Sequence, residues 1–402
     1  MRQAVILVGG LGTRLGALAN VTPKPLLKVA GQPFLDHLLW NLERFGIEEI
    51  ILAASHLSKR VEEFIAARVS NESNVMIRVE DKPLGTGGAV RNCLDLLDNH
   101  FLLLNGDTLF DVNYLALVED MIADNAKVSM ALRHVDDTGR YGAVSMVAGS
   151  VRDFTEKTSR GPGLISAGVY CIARDAIADL PANEFISLEN DVLPKLVADG
   201  AVSGIELEGY FIDIGLPETL ARADSELAKW RSRPIAFLDR DGVINEDTGY
   251  VHLPEQTVFL KGAAKAIRRL NEAGYLVVLI TNQAGIARGY YSEQDFHNFM
   301  RWYRTQLSYQ GAHFDDVLFC PFHPTEGRGK YLKDTYCRKP NPGMVLDGLR
   351  KWPHKLEGCF LVGDQDTDIE AARRAGIPGH LFSGGDLDAF VQKIIASNRE
   401  TS

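Results

Sequence analysis

Cysteine is scarce in this chain of 402 residues, and the few thiols follow no paired spacing. The cysteines are Cys93, Cys171, Cys320, Cys337 and Cys359. An odd and scattered set excludes the disulfide framework of a small secreted domain, so we expect a cytoplasmic protein with reduced thiols.

Long apolar runs, a basic excess and internal repeats are also absent. No apolar run approaches the roughly 20 residues of a membrane-spanning helix, so we expect no membrane partner. The short apolar run within residues 1–8 leads into Gly9 and Gly10 and not into a cleavage site, which predicts a first strand instead of a signal peptide.

A net charge of -10 argues against a nucleic-acid partner, although a few placed groups can still bind phosphates. The sequence leaves a homo-oligomer open.

The length exceeds what one hydrophobic core normally serves, so two domains are expected. Helical apolar spacing in residues 220–230 ends shortly before Pro234, and proline cannot continue a helix. We therefore predict domains at 1–232 and 233–402. In the second, apolar runs alternate with helical patterns, which predicts an α/β fold with a parallel, Rossmann-like sheet.

An apolar run at 235–238 predicts a buried strand, and Asp239 and Asp241 follow it. Because side chains alternate along a strand, both carboxylates can lie on one side of its carboxyl end, where ligands bind in open parallel sheets. Two close carboxylates repel each other unless a cation or a proton lies between them, and Mg²⁺ favours such ligands. Two such aspartates without other motifs more often mark a solvated turn, but three later motifs suit the same chemistry.

Those motifs contain Thr281, Lys339 and Asp364. With Asp239 and Asp241, in this order, they resemble the motifs of haloacid dehalogenase-like phosphatases. The resemblance implies that Asp239 attacks phosphorus to form an aspartyl phosphate, while Asp241 protonates the leaving oxygen and then activates water. Thr281 and Lys339 would hold the phosphoryl oxygens, although a surface lysine remains the alternative for Lys339. Mg²⁺ would be bound by Asp239, Asp364 and the backbone carbonyl of Asp241.

The longer motifs 239–242, 249–251, 281–289 and 337–340 resemble those of D-glycero-D-manno-heptose 1,7-bisphosphate phosphatases, and histidinol phosphatases share much of the pattern. The resemblance also implies that Asp368 orients the lysine of the last motif. The sugar-phosphate contacts predicted from it are Asp247, Tyr250, Thr281, Asn282, Gln283, Arg288, Arg338 and Lys339.

Members of this subfamily often bind a structural zinc ion through a Cys-x-His and a later Cys-x-Cys motif. Here Cys320 and Cys337 are present, but Phe322 and Thr335 stand at two of the four ligand positions. Two ligands do not complete a tetrahedral site, so we predict that zinc is not bound. His323, one position further on, is left open as a replacement ligand.

The first domain begins with a glycine-rich loop at 9–15, followed by Lys24 between two prolines. Glycines there let backbone N–H groups approach phosphate oxygens, while Arg14 and Lys24 add positive charge. The spacing fits neither a Walker A loop nor a dinucleotide-binding fingerprint.

This loop and the motif 23–27, together with 84–89, 105–108 and 213–218, resemble sugar-1-phosphate nucleotidylyltransferases. The resemblance implies a mixed, mostly parallel sheet, with Arg14 and Lys24 as catalytic cations on a nucleoside triphosphate. Asp107 and Asp213 would hold Mg²⁺. The implied nucleotide contacts are Gly9, Gly10, Gly12, Thr13, Arg14, Lys24, Gly85, Thr86 and Asp107.

Sugar-phosphate contacts in this family would fall on Gly142, Glu156 and Lys157. A solvated surface pair remains an equal alternative for the last two. Ser166 stands where the family often has asparagine, so one expected sugar contact is changed.

The two resemblances predict a bifunctional enzyme. A phosphatase that removes the 7-phosphate of heptose 1,7-bisphosphate makes a sugar 1-phosphate, which the first domain could join to a nucleotide, with GTP favoured. One alternative is a mannose- or glucose-1-phosphate nucleotidylyltransferase fused to a histidinol-phosphate-type or other sugar phosphatase. Another is a regulatory sugar-nucleotide-binding module.

Overall fold

The computed structural model describes residues 1–10, 21–55, 57–68, 73–140, 142–155 and 161–400. The chain divides into two compact units, Met1–Ala228 and Lys229–Ser402. Among the described residues, no helix combines the length and the apolar character that a membrane crossing requires.

The first unit alternates strands and helices. Its strands are β1 (Gln3–Leu7), β2 (Lys28–Val29), β3 (Gln32–Pro33), β4 (Glu49–Ala54), β5 (Asn74–Val79), β6 (His100–Asn105), β7 (Thr108–Asp111), β8 (Val128–Val135), β9 (Ala143–Val147), β10 (Ser150–Thr155), β11 (Gly163–Ala173), β12 (Val202–Glu206) and β13 (Tyr210–Asp213). Its helices are α1 (Phe34–Arg44), α2 (Ser58–Ala67), α3 (Gly85–Asn92), α4 (Tyr114–Ala123), α5 (Asp175–Ala178), α6 (Leu193–Ala198) and α7 (Pro217–Arg231).

The large sheet of this unit has the order β5-β4-β1-β6-β11-β8-β12-β10-β9. β1 lies between β4 and β6 and is parallel to both, whereas β11 runs antiparallel to β6 and β8. The predicted mixed sheet is confirmed, with parallel pairing around β1 and mainly antiparallel pairing beyond β6. Alternate residues of β1, β4 and β6 pack with α3 and α6 into one core, which includes Val5, Ile51, Leu103, Val90 and Leu193.

The second unit is a five-stranded sheet flanked by helices. Its strands are β14 (Ile235–Asp239), β15 (Leu276–Asn282), β16 (Asp316–Cys320), β17 (Phe360–Gly363) and β18 (Gly379–Leu381). Its helices are α8 (Ala263–Glu272), α9 (Ala284–Arg288), α10 (Glu293–Ser308), α11 (Gly343–Lys351), α12 (Asp366–Ala375) and α13 (Leu387–Glu400).

All neighbours in the order β16-β15-β14-β17-β18 are parallel, which confirms the predicted parallel sheet. The short edge strand β18 was not predicted from the sequence. Its three residues, centred on His380, are half-buried or exposed, so they lack the apolar run that marks a buried strand. The chain order reverses on either side of β14, and this is where an open parallel sheet forms a crevice at its carboxyl ends.

The core of the second unit explains why β14 holds its end in place. All five residues of β14 are buried. Ala236 and Leu238 pack with residues of α8, α10 and α13. On the other side, an added Cβ at Gly348 of α11 would lie 2.6 Å from the Phe237 ring, so this helix packs closely on the strand. Packing on both faces of β14 therefore fixes the position of Asp239 at its carboxyl end.

Candidate active sites

The first candidate site is a cavity of about 420 Å³ in the second unit, at the carboxyl ends of β14, β15 and β17. A volume of this order suits a small sugar phosphate. Most of the residues predicted for the phosphatase line it, namely Asp239, Asp241, Asp247, Tyr250, Thr281, Asn282, Gln283, Lys339, Asp364 and Asp368. The structure thus brings together motifs that are up to 129 residues apart (239 to 368) in the chain.

A buried ion cluster occupies the floor of this cavity. The Nζ atom of Lys339 lies 2.7 Å from Oδ2 of Asp239 and 2.6 Å from Oδ1 of Asp368. Burial raises the pKa of Asp239 to about 7, against the opposing effect of Lys339. Burial would lower the pKa of Lys339, but the two carboxylates raise it overall, so this lysine is a cation at neutral pH. The surface-lysine alternative for Lys339 is excluded, since it is only 5% exposed.

Asp364 completes the cluster from the end of β17. One carboxylate oxygen from each of Asp239, Asp364 and Asp368 lies within 4.8 Å of the others. Gly242 makes this approach possible, because a Cβ there would lie 2.3 Å from Oδ2 of Asp364, and its φ of +81° also favours glycine. Three carboxylates face the one ammonium of Lys339, and this oxygen-rich, negative set fits Mg²⁺.

Asp241 is held differently from Asp239. Its carboxylate forms a two-pronged ion pair with the fully buried guanidinium of Arg240, with the Nη2 atom 2.7 Å from Oδ2. Asn245 donates a further hydrogen bond of 2.9 Å to Oδ1. Arg240 and Asn245 have no role among the predicted site residues. Arg240 stands in the motif that follows β14 and Asn245 three residues beyond it, but nothing in the sequence shows that they face this carboxylate.

The side-chain amides of Asn282 and Gln283, two predicted phosphate contacts, form hydrogen bonds with other residues of the protein. The side chain of Asn282 donates to the carbonyl of Lys339 and accepts from its N–H, at 3.2 and 3.1 Å. Gln283 is 2% exposed and donates to Oγ1 of Thr281 at 2.7 Å. These amides therefore fix the loop of Lys339 and the hydroxyl of Thr281, and direct phosphate contacts by them stay predictions.

The two predicted arginines lie outside the cavity lining. Arg288 pairs with Glu326, and its guanidinium carbon lies 5.7 Å from the ring centre of Tyr250. Arg338 donates from Nη1 to the carbonyl of Phe322 at 3.2 Å. Tyr250 itself has a φ of +55° and follows a turn in which Gly249 donates to Asp247 at 3.0 Å.

The thiols of the predicted zinc-free loop lie side by side. The Sγ atoms of Cys320 and Cys337 are 2.6 Å apart, and Oγ1 of Thr335 lies 3.4 and 3.2 Å from them. His323 points elsewhere, because its Nδ1 accepts the backbone N–H of Glu326 at 3.0 Å. Within the part of the chain that the structure describes, no third His, Cys, Asp or Glu ligand joins the two thiols, so the residues do not fit a zinc ion.

The second candidate site lies in the first unit, at the carboxyl ends of β1 and β6. Lys24 places its Nζ 3.2 Å from Oδ2 of Asp107. The ladder between β7 and β13 pairs Thr108 with Asp213, and the N–H of Ile214 donates to the carbonyl of Asp107 at 2.9 Å. The two predicted metal ligands, 106 residues apart (107 to 213) in sequence, are therefore neighbours. No pattern in the sequence predicts the short ladder that joins them.

The predicted glycines of this site have structural reasons of their own. A Cβ at Gly85 would lie 2.5 Å from the carbonyl oxygen of Ile186, and the N–H groups of Gly87 and Gly88 both donate to that oxygen. The Thr86 hydroxyl donates to Glu189 at 2.7 Å. The start of α3 is thus packed against residues 184–189, and nucleotide contacts by Gly85 and Thr86 remain predictions.

Three further predicted glycines of the first unit lie among the described residues. An added Cβ at Gly9 would approach Ser55 within 2.9 Å, whereas one at Gly10 would meet no atom of the described residues within 4 Å. Gly142 has a φ of +84° and donates to the carbonyl of Thr138. The predicted residues Gly12, Thr13, Arg14, Glu156 and Lys157 lie outside the described residues.

Both candidate sites place acidic side chains beside a lysine at the carboxyl ends of sheet strands, an arrangement that suits enzymes of phosphorus chemistry. The chain belongs to the nucleotidyl transferase family, whose model matches residues 3–229. The HAD-hydrolase-like family model matches residues 336–391. The two enzyme classes predicted from the motifs are therefore confirmed.

Individual relatives divide between the two halves in the same way. A D-glycero-beta-D-manno-heptose-1,7-bisphosphate 7-phosphatase from Rhodopseudomonas palustris is 48% identical over 163 residues, which are 40% of this chain and 91% of the relative. A D-glycero-alpha-D-manno-heptose 1-phosphate guanylyltransferase from Aneurinibacillus thermoaerophilus is 35% identical over 227 residues, 56% of this chain and 98% of the relative.

A solved structure supports the fold of the first half. HddC from Yersinia pseudotuberculosis, determined in a complex with GMP-PN, is 34% identical with a TM-score of 0.52. The alignment covers 56% of this chain and all of HddC.

Proposed function

We propose that this protein is a bifunctional enzyme of nucleotide-activated heptose synthesis. The second unit removes the 7-phosphate of D-glycero-D-manno-heptose 1,7-bisphosphate, and the first unit transfers GMP from GTP to the resulting heptose 1-phosphate. One observation carries this proposal: each half resembles a different enzyme, and the product of one named relative has the chemistry of the other relative's substrate. The free state of all five cysteines agrees with a cytoplasmic reaction.

In the phosphatase half, a carboxylate oxygen of Asp239 attacks the phosphorus of the 7-phosphate, and the bond from phosphorus to the sugar oxygen breaks. Asp241 gives a proton to the leaving oxygen and then takes one from the water that hydrolyses the aspartyl phosphate, which releases inorganic phosphate. Lys339 and Thr281 neutralise and orient the phosphoryl oxygens. Their places in one cavity, with Lys339 fixed by Asp368 and Asn282, support these roles.

Asp239, Asp364 and the backbone carbonyl of Asp241 would hold Mg²⁺ in this half, and Asp107 with Asp213 would hold it in the other. A bound Mg²⁺ supplies positive charge that screens the phosphoryl oxygens from the attacking carboxylate.

In the transferase half, an oxygen of the sugar 1-phosphate attacks the α-phosphorus of GTP, and pyrophosphate leaves. Such a reaction needs alignment and charge neutralisation more than covalent help from the protein. Lys24, which lies next to Asp107, and Arg14 are the cations we assign to the triphosphate.

The two activities can follow each other only if both halves accept the same anomer. We assign the α-anomer, because the anomeric phosphate is the reacting group in the transferase half and the guanylyltransferase relatives are named for the α-anomer. The phosphatase half acts at the opposite end of the sugar, and its relatives include phosphatases named for the α-anomer as well as for the β-anomer. The β-anomer in the name of the R. palustris relative is therefore no obstacle to the assignment.

A substrate panel tests the proposal. Phosphate release is measured from the α- and β-anomers of heptose 1,7-bisphosphate and from histidinol phosphate. Pyrophosphate release is measured from GTP, ATP, UTP, CTP and dTTP with the 1-phosphates of heptose, mannose and glucose. We expect phosphate from the heptose bisphosphates, and pyrophosphate only with GTP and α-heptose 1-phosphate. A clear preference for histidinol phosphate or for a hexose 1-phosphate would overturn the assignment of the corresponding half.

A further inference from the structure

The carboxylate of Asp241 receives hydrogen bonds from three side chains. Arg240 donates from Nε and Nη2 to both carboxylate oxygens, at 2.7 to 3.2 Å. Asn245 donates to Oδ1 at 2.9 Å, and the amide of Gln283 lies 3.5 Å from Oδ2. The side chain of Asp241 is 19% exposed, so the donors leave part of the carboxyl group open to the cavity.

Two buried tyrosines orient the amides that hold this carboxylate. The hydroxyl of Tyr303 donates to Oδ1 of Asn245 at 2.9 Å, and that of Tyr291 donates to Oε1 of Gln283 at 2.5 Å. A hydroxyl that donates to the amide oxygen turns the amide NH₂ towards the carboxylate. Burial raises the pKa of both tyrosines, that of Tyr291 to about 12, so both remain hydroxyl donors at neutral pH.

Arg240, Asn245 and Tyr303 cannot act on substrate directly, because none of them has exposed surface. The guanidinium of Arg240 also donates to the carbonyl of Val251 at 2.6 Å and lies 5.3 Å from the ring centre of Phe299. A buried charge with so many partners is fixed, and it fixes what it binds.

We propose that Arg240, Asn245 and Tyr303 are positioning residues for the proton transfers of Asp241, with Gln283 and Tyr291 as a weaker second arm. They hold the carboxyl group in one direction, so that it meets the leaving oxygen of the sugar when the phosphorus–oxygen bond breaks. The inference rests on the proposed phosphatase function. It assigns part of the catalytic effect to helix α10, which carries Tyr303 but no residue of the four motifs.

Dependence on the leaving group separates positioning from a merely structural role. The alkoxide of a sugar needs a proton as it leaves, whereas p-nitrophenolate is stable as an anion. The parameter kcat/KM reports the steps up to and including the loss of the leaving group. It therefore contains the proton donation by Asp241 but not the later hydrolysis of the aspartyl phosphate. A variant that misdirects Asp241 should lose kcat/KM for heptose 1,7-bisphosphate and keep it for p-nitrophenyl phosphate.

The experiment uses the full chain with Mg²⁺ and compares Tyr303→Phe, Asn245→Ala and Tyr291→Phe with Asp241→Asn. Tyr275→Phe is the matched control, because it removes a buried tyrosine hydroxyl that meets Asn398 and not the Asp241 network. Thermal unfolding shows that each variant is folded, and Tyr303→Phe, which removes a single oxygen, keeps the test available if Asn245→Ala unfolds.

We expect Asp241→Asn to lower kcat/KM for the heptose substrate by about 10² to 10⁴, the usual range for general acid catalysis, with a much smaller loss for p-nitrophenyl phosphate. Tyr303→Phe should lower the heptose value about tenfold and the p-nitrophenyl value less than threefold. Tyr291→Phe should show a smaller difference, and Tyr275→Phe none.

The results for these variants separate the positioning inference from the proposed role of Asp241. If Asp241→Asn shows the leaving-group difference but Tyr303→Phe and Asn245→Ala affect both substrates equally or neither, the positioning inference is wrong and the proposed function stands. If Asp241→Asn itself shows no difference, the role of Asp241 in the proposed mechanism is wrong.

Discussion

The two candidate sites solve related chemical problems with different degrees of burial. In the second unit, Lys339 and Asp368 are almost completely buried, and the side chain of Asp239 is 11% exposed. In the first unit, the side chains of Lys24 and Asp107 are 15% and 32% exposed. A covalent reaction at a carboxylate benefits from a desolvated nucleophile, whereas transfer between two bound substrates needs an open site for both. The difference in burial therefore matches the difference in mechanism that we propose.

The largest expected effect is at the nucleophile. Asp239→Asn should lower phosphate release by at least about 10⁴-fold, because the aspartyl phosphate cannot form. Pyrophosphate release from GTP and heptose 1-phosphate by the same preparation should be unchanged, which serves as the internal control. Retention of a tenth of the phosphatase activity would show that Asp239 is not the nucleophile.

A smaller loss is expected at the open site. Asp107→Asn should lower pyrophosphate release by about 10² to 10³, the scale of one lost electrostatic contribution, and leave phosphate release unchanged. A loss as large as that of Asp239→Asn would break the comparison, since it would mean that burial does not distinguish the two mechanisms. Both activities are measured on each variant.

Stability should follow the same contrast. Lys339→Met leaves two buried carboxylates without their cation and should destabilise the second unit by roughly 3 to 5 kcal/mol in buffer without Mg²⁺. Lys24→Met removes a partly exposed ion pair and should change stability by less than about 1 kcal/mol. Urea unfolding curves of the two variants measure both values, and equal losses would contradict the difference in burial.

The smallest effect concerns the loop that carries Lys339. Phe322→His with Thr335→Cys restores the Cys-x-His and Cys-x-Cys pattern, and this double variant should bind one zinc ion while the unaltered chain binds none. We expect phosphatase activity to change less than about threefold, because two hydrogen bonds between Asn282 and the backbone of Lys339 already hold this residue. Metal analysis after dialysis checks the binding. Stoichiometric zinc in the unaltered protein would show that the loop depends on metal after all.

The sequence predicted the parts of both sites that lie directly after buried strands. A contiguous apolar run marks such a strand, and parallel neighbours bring the residues after it to one edge, so Asp239, Thr281 and Asp364 could be grouped without a structure. The class of each half followed from the same motifs, and the family matches confirm it.

What escaped prediction depends on contacts between distant and unremarkable residues. Tyr303 meets Asn245 across 58 positions, and its place on an amphipathic helix predicts only a core aromatic residue. The ladder that sets Asp213 beside Asp107 is formed by strands of four residues each. The close packing of Gly85 on Ile186 also has no counterpart in the sequence, where this glycine is expected only as a nucleotide contact. Long-range packing of this kind leaves no periodic pattern in the sequence.

The most direct test follows both reactions in one vessel. The purified chain is mixed with α-heptose 1,7-bisphosphate, GTP and Mg²⁺, and phosphate, pyrophosphate and sugar nucleotide are measured over time. We expect phosphate first and then equal amounts of pyrophosphate and GDP-heptose. The Asp107→Asn variant should release phosphate only, and the Asp239→Asn variant should form none of the three products. Formation of a sugar nucleotide by Asp239→Asn, or phosphate without any later pyrophosphate from the unaltered chain, would contradict the proposed function.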